Sequence, residues 1–280
     1  MTIIRTAAEL RRHLGAPDGR RRVGFVPTMG ALHAGHVSLF ALARAQSTIV
    51  VASVFVNPTQ FNDPKDLALY PRPEADDARM ADAAGVDYLF MPSAEEMYPH
   101  GFATSVRVEG AALNFEGAHR PGHFDGVATV CLKLFNIVQA DRVFFGQKDA
   151  QQVAVIRQVT ADLNLPHEVV IGATLRDPDG LAMSSRNVRL SADERRRALA
   201  IPAALRAGLA AHARGASPAE AAGAQLAGLD VDYVDVADWA GDPTLVIAAR
   251  AGATRLIDNV PLFDPARAGL DAPHPEAAHG

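Results

Sequence analysis

Two histidines three residues apart, in His33-Ala34-Gly35-His36, stand where the apolar run Val23-Gly24-Phe25-Val26-Pro27 gives way to a helical pattern. A strand feeding a glycine-containing turn and then a helix presents the helix's unpaired N–H groups and positive dipole end, which suits an anion. His33 and His36 add donors for phosphate oxygens, and Gly35 lets backbone and ligand approach closely. A second group follows Val143-Phe144-Phe145. Gly146-Gln147-Lys148-Asp149 offers a close-approach glycine and, at Lys148, a mobile positive charge for phosphate or carboxylate. Asp149 either meets the ligand or caps the next helix, and Gln152 follows one turn later. A third group, Met183-Ser184-Ser185-Arg186, puts two hydroxyls and a guanidinium on one loop, as a phosphate clamp or a plain turn would. Neither GxxxxGK[ST] nor GxGxxG occurs in a strand–turn–helix setting, which disfavours P-loop hydrolysis and dinucleotide redox chemistry. Attack at an α-phosphate needs only positioning and charge stabilisation, and these residues can supply both.

Asn57-Pro58-Thr59-Gln60-Phe61-Asn62 supplies neutral amides, which suit an acid bearing hydroxyl groups because they donate and accept without adding charge. Asp76 and Asp77 could hold a magnesium–phosphate complex, although acids are favoured near any helix start. His119 and His123, in His119-Arg120-Pro121-Gly122-His123-Phe124, either shape the pocket or serve structure.

These groups need a scaffold. Apolar runs at Arg22–Val26, Thr48–Val56, Tyr88–Met91, Arg142–Phe145 and Glu168–Ile171 predict strands. They alternate with helical stretches near Gly35–Ala45, Glu74–Ala84, Val127–Gln139 and Ala150–Leu163. Near-continuous apolar strands in such alternation predict an α/β fold with a doubly wound parallel sheet, Rossmann-like, whose ligands bind beyond the C-terminal strand ends. After Ser191 the chain is rich in alanine and arginine at helical spacing, opening on a capping box at Ser191–Glu194. Short strands at Val231–Val236, Thr244–Ala249 and Thr254–Ile257 complete a smaller α+β domain. Asp177-Pro178-Asp179-Gly180 predicts a turn in the hinge between the two. The expected division is residues 1–174 for the triphosphate- and acid-binding domain, 175–264 for a lid domain and 265–280 for a disordered tail.

The totals fit such a chain. Of 280 residues, 49% are hydrophobic and 21% charged, and the net charge of −5 gives no basic field to recommend nucleic acid. Arg20-Arg21-Arg22 and Arg195-Arg196-Arg197 read as solvated faces. The single cysteine, Cys131, sits in an apolar stretch and reads as core. No signal core and no membrane-length apolar run occur, so a cytoplasmic protein with no membrane partner is expected.

Taken together, Pro27–His36, Phe55–Phe61, Tyr70-Pro71-Arg72, Arg120–Val127, Phe144–Gln152 and Arg176–Asn187 resemble, in the same order, the pantothenate synthetase (pantoate–β-alanine ligase) family. Its HxGH motif is shared with the wider nucleotidyltransferase superfamily. The resemblance implies a two-step reaction in which pantoate and ATP give pantoyl adenylate and pyrophosphate, and β-alanine then displaces AMP to give pantothenate. It implies ATP contacts at Met29, Gly30, Ala31, Leu32, His33, Ala34, Gly35 and His36, at Gly146, Gln147, Lys148 and Asp149, and at Leu175, Met183, Ser184, Ser185 and Arg186. His36, His33 and Lys148 would be the catalytic groups. Gln60 and Gln152 would orient pantoate, with Gln60 also near β-alanine. A homodimer and a magnesium requirement, with the metal at Asp76 and Asp77, are further implications. Met80 departs from the pattern, standing where some members have a glutamine near the magnesium. Two other readings stay open on the residues alone: a nucleotidyltransferase making a nucleotide-linked cofactor, and a non-catalytic nucleotide-binding protein on the same scaffold.

Overall fold

The computed structural model describes residues 1–15, 22–62 and 64–270; Arg20 and Arg21 lie outside these. The chain divides into two compact units. The first comprises residues 1–32, 36–145 and 151–172; the second comprises 33–35, 146–150 and 173 onward.

The first unit is built on a six-stranded parallel sheet. Along the chain come β1 (Thr2–Ile4), α1 (Ala7–Leu14), β2 (Val23–Thr28), α2 (Ala34–Gln46), β3 (Ile49–Val54), α3 (Pro64–Leu69), α4 (Glu74–Ala83), β4 (Tyr88–Phe90) and α5 (Ala94–Met97). Next are α6 (Glu116–His119), α7 (His123–Val138), β5 (Arg142–Gly146), α8 (Ala150–Asp162) and β6 (Glu168–Gly172). The strand order is β1-β4-β3-β2-β5-β6, so the direction of winding reverses at β2 and β5. Ligand-binding loops are expected beyond the carboxyl ends of strands at such a reversal.

The continuous apolar strands have a direct cause. Successive strand residues face opposite sides of a sheet, and here both sides are covered. Phe25, Val51, Phe90, Val143 and Phe145 join α1, α7 and α8 in one core. Their chain neighbours Val26, Val50, Ala52, Leu89 and Phe144 join Leu39, Phe40 and Ala43 of α2 and Ala81 of α4 in the other. Phe25, Phe40, Phe90 and Phe144 are fully buried, each contributing about 2–3 kcal/mol of transfer free energy.

The second unit carries α9 (Ala192–Ala198), α10 (Ala200–His212), α11 (Pro218–Gly223) and the antiparallel meander β7 (Asp230–Trp239), β8 (Asp242–Ala251) and β9 (Thr254–Pro261). Ser191 and Glu194 form the predicted capping box at α9. Ala240 and Gly241, both at positive φ, make the tight turn between β7 and β8. Leu245, Ile247, Ala249 and Leu256 pack on Ile201, Leu205 and Ala222. Defined structure continues past residue 264, where the sequence suggested that a tail begins. Pro265–Ala268 form a 3-10 turn, and Ala268 and Leu270 are buried. Residues 271–280 lie outside the described residues.

Candidate active site

In the first unit, β2 runs into the turn Met29–Leu32, and α4 fixes that turn. Gly30 and Ala31 both take positive φ (80° and 51°), a conformation that disfavours alanine. The buried carboxylate of Asp77 holds it: Oδ1 accepts the Leu32 amide at 2.7 Å and Oδ2 the Ala31 amide at 2.9 Å. Gly30 is required here, because a Cβ would lie 2.7 Å from Asp77 Oδ2 and 2.8 Å from Val54 Cγ1. Burial pushes the Asp77 carboxyl above its usual range, and the two amides pull it partly back. His36 follows, partly buried, in the first turn of α2.

Gln60 sits in a 3-10 turn beyond β3 and is fixed at both ends. Its Oε1 accepts from Asn57 Nδ2 at 3.1 Å, so its NH2 points the other way, 2.8 Å from Met29 Sδ. Asn57 is itself held, with its Oδ1 accepting the Tyr98 hydroxyl at 2.7 Å. The backbone carbonyl of Gln60 lies 2.9 Å from His123 Nδ1, and His123 Nε2 lies 3.1 Å from Arg120 Nη1. The guanidinium can only donate, so Nε2 accepts and Nδ1 carries the proton toward Gln60. His123 is thus a buried brace rather than a pocket wall. Gln152 lies partly buried in the first turn of α8, and among the described residues no hydrogen bond joins it to Gln60. Its neighbour Gln151 is engaged structurally, accepting from the Glu116 amide and donating to the Ala111 and Asn114 carbonyls.

The second unit brings three sequence groups together: His33, the turn at Gly146–Asp149 and the hairpin at Leu175–Met183. The His33 imidazole is held below its ordinary pKa first by burial and then by the Lys148 ammonium; Asp149 and Asp177 oppose this. Its Nδ1 accepts the Gly35 amide at 3.1 Å, so the neutral ring carries its proton on Nε2. Gly35 has a specific task, because a Cβ there would lie 2.9 Å from His33 Cε1. The residue lets the imidazole fold onto the helix start, where the sequence suggested close approach of a ligand. Lys148 Nζ lies 3.5 Å from Asp149 Oδ1, on a partly buried side chain.

The loop with the two serines grows from a short hairpin. Arg176 pairs with Ala182, the Met183 amide donates to the Leu175 carbonyl at 2.9 Å, and the predicted Asp177–Gly180 turn closes at 2.8 Å. Arg195 grips the turn from α9, donating to both Asp177 and Asp179 at 2.7 Å. Asn187 closes the far end, donating to Asp177 Oδ2 and to the Ala182 carbonyl. Ser184, Ser185 and Arg186 between these ties are partly buried.

Asp76 and Asp77, the residues expected beside a magnesium–phosphate complex, have different surroundings. Each oxygen of Asp77 takes a backbone amide, whereas Asp76 is exposed and bonds Arg79 on its own helix. Among the described residues no cluster of three or more His, Cys, Asp or Glu could hold a metal ion. Neither aspartate is therefore part of an all-protein metal cage among the described residues. The buried Asp77 is explained by the loop it braces.

The family model described as pantoate-beta-alanine ligase matches residues 2–261. The chain belongs to the pantoate–β-alanine ligase family. A pantothenate synthetase from Cereibacter sphaeroides is 49% identical over 276 residues, covering 93% of this chain and 99% of that protein. One from Herpetosiphon aurantiacus is 48% identical at the same coverage. The crystal structure of pantothenate synthetase from Thermus thermophilus matches with a TM-score of 0.87 at 45% identity, over 94% of this chain and 99% of that one. A pantoate-beta-alanine ligase from Francisella tularensis, crystallised with beta-gamma ATP and beta-alanine, matches with a TM-score of 0.81 at 33% identity, covering 94% and 98%.

For this pantoate–β-alanine ligase family member, sequence reasoning met Arg176 only as the first residue of a motif and passed over Asp258 and Asn259, the polar groups that hold the Leu175–Met183 hairpin and the Gln147–Asp149 turn. Asp258 and Asn259 lie in an otherwise apolar strand at 3% and 2% exposure, and neither that burial nor the partners it demands can be read from the sequence.

Proposed function

We propose that this chain joins pantoate to β-alanine at the expense of ATP, yielding pantothenate, AMP and pyrophosphate. Family membership across residues 2–261 carries the reading. In the first step a pantoate carboxylate oxygen attacks the α-phosphorus. The new P–O bond gives pantoyl adenylate, and the bond to the bridging oxygen breaks to release pyrophosphate. In the second step the β-alanine amine attacks the acyl carbon, AMP leaves with the former carboxylate oxygen, and the amine loses a proton.

The residues suit these steps. Lys148 supplies positive charge beside His33, whose Nε2–H is a neutral donor for a phosphate oxygen. His36 donates at the first turn of α2, and Met29–Leu32 offers backbone to the nucleotide. Leu175 and Met183–Arg186 complete the nucleotide contacts, with Ser184, Ser185 and Arg186 suited to phosphate. Gln60 presents an NH2 to the acid, since Asn57 occupies its carbonyl oxygen; Gln152 is the second amide for pantoate. Neutral amides leave the carboxylate uncompensated and nucleophilic. ATP arrives as its magnesium complex, so the metal enters as part of the substrate. The working form is a homodimer in the cytoplasm; no described helix is long and apolar enough to cross a membrane.

A coupled assay that omits ATP, pantoate and β-alanine in turn tests the reading. Pyrophosphate release should require pantoate, and pantothenate should require all three. Transfer of AMP to a nucleotide acceptor without pantoate would reject it. Sedimentation at micromolar concentration tests the dimer.

A further inference from the structure

Asn259 lies in β9, opposite Val246 of β8, and every polar atom of its side chain is engaged. Nδ2 donates to two consecutive carbonyls, Gln147 O at 3.0 Å and Lys148 O at 2.8 Å. Oδ1 accepts from Gln147 Nε2 at 2.9 Å. Three bonds from one side chain therefore pin the 3-10 turn Gln147–Asp149 on which Lys148 is carried.

The anchor is itself fixed. Its backbone amide donates to Asp258 Oδ1 at 2.9 Å, and Asp258 is gripped by Arg176 through two bonds. The other end of Gln147 is held as well, with Oε1 lying 3.4 Å from Arg267 Nη1, while Arg267 Nη2 reaches both oxygens of Asp242. A buried amide satisfied so fully is rigid, and it has fixed the main chain of the one lysine in the Gly146–Asp149 group.

We propose that Asn259 is a positioning residue for the Lys148 ammonium: by holding the Gln147 and Lys148 carbonyls it sets the distance and direction from which that charge meets the ATP phosphates. The inference rests on the reading of Lys148 as a phosphate contact. The polar atoms of the Asn259 side chain are spent on the Gln147–Lys148 turn, so its effect passes through the lysine's main chain. A displacement of about 1 Å at a charge-stabilising group can cost about 100-fold in rate, so a loosened turn should be visible in kinetics.

A double-mutant cycle decides it, using N259A, K148A and N259A/K148A in the full chain. N259A should lower kcat/KM for ATP by roughly 10- to 100-fold while KM for β-alanine stays within about twofold. On the K148A background the same substitution should cost less than about threefold, because the group it positions is gone. Equal losses on both backgrounds, or an equal rise in the β-alanine KM, would overturn the proposal and leave Asn259 a packing residue. A K148A enzyme with unchanged kcat/KM for ATP would instead reject the lysine reading beneath it. If N259A melts below the assay temperature, N259D replaces it in the same cycle with the same expected outcomes. It keeps the volume and the Gln147 acceptor but turns an acceptor toward two carbonyls.

Discussion

Arg176 and Asp258 form a two-pronged ion pair, Nη1 to Oδ2 at 2.7 Å and Nη2 to Oδ1 at 3.1 Å, with side chains only 5% and 2% exposed. The guanidinium also donates to the Ala268 and Gly180 carbonyls, so the pair ties the Leu175–Met183 hairpin to β9 and to the chain after it. Removing one partner strands a buried charge, whereas replacing both with apolar residues need not. D258A should destabilise the second unit by about 3–5 kcal/mol, and R176M/D258L by clearly less. Denaturant titration followed by fluorescence of Trp239, the only tryptophan and part of β7, measures this directly.

Asp77 gives a prediction that separates loop-bracing from metal binding. D77N keeps the volume but gives up charge-assisted bonds to Ala31 and Leu32, worth roughly 1.5–3 kcal/mol each. The turn at Met29–Leu32 should relax, with kcat/KM for ATP falling by about 10-fold or more at every magnesium concentration. If excess magnesium restored activity, the carboxylate would be acting on the metal instead.

Gly126 of α7 lies against the Gln60 turn, and a Cβ there would sit 2.6 Å from the Thr59 carbonyl oxygen and 2.9 Å from the Gln60 amide. Backbone on both sides cannot yield as a side-chain tip would. G126A should destabilise the first unit by about 1–3 kcal/mol and raise KM for pantoate more than KM for ATP. Steady-state kinetics with each substrate varied in turn would show the contrast.

His33 predicts an acid limit. Burial and Lys148 hold its pKa below the ordinary 6.5, so the folded state binds the proton less readily than the unfolded chain. Its stabilising contribution is complete above about pH 6.5 and disappears as pH falls through the folded pKa. Protonation also removes the acceptor for the Gly35 amide. The Trp239-detected denaturation midpoint should drop as pH falls below about 6.5, and H33Q should flatten that drop.

Cys131, the only cysteine, complements that probe. Burial pushes its thiol up to about 12, and it sits in α7 of the first unit. A thiol reagent should leave the native protein unlabelled and react as the first unit unfolds, in step with the loss of α-helical circular dichroism. Rapid labelling without unfolding would contradict the burial.

The sheet strands with long apolar runs were legible in the sequence because burial on both faces leaves no polar interruption. β1, only Thr2–Ile4, was not, since three residues show no periodicity. α7 begins at His123, four residues before its apolar pattern, because its first turn carries polar groups with tasks of their own, His123 reaching the Gln60 carbonyl and Asp125 accepting the Val108 amide. The groups at His33, Gly146–Asp149 and Met183–Arg186 stood out in the sequence because glycine, lysine, serine and histidine have few other reasons to cluster in loops between apolar runs. Asp77 was legible as an acid near a helix start but not as the brace of a distant turn. A carboxylate near a helix start says nothing of the distant amides, at Ala31 and Leu32, that will meet it. Asn259 was invisible for the same cause: its partners at 147 and 148 are joined to it only by the fold.

The Asp77 clasp makes the histidine motif non-portable. Copying Pro27–His36 onto another parallel sheet would transplant the imidazoles but leave behind the helix whose carboxylate stops Ala31 from relaxing out of its positive φ. A functional graft needs α4 at its native angle as a second, discontinuous insert, so the smallest transferable piece of this enzyme is a strand, a turn and two helices.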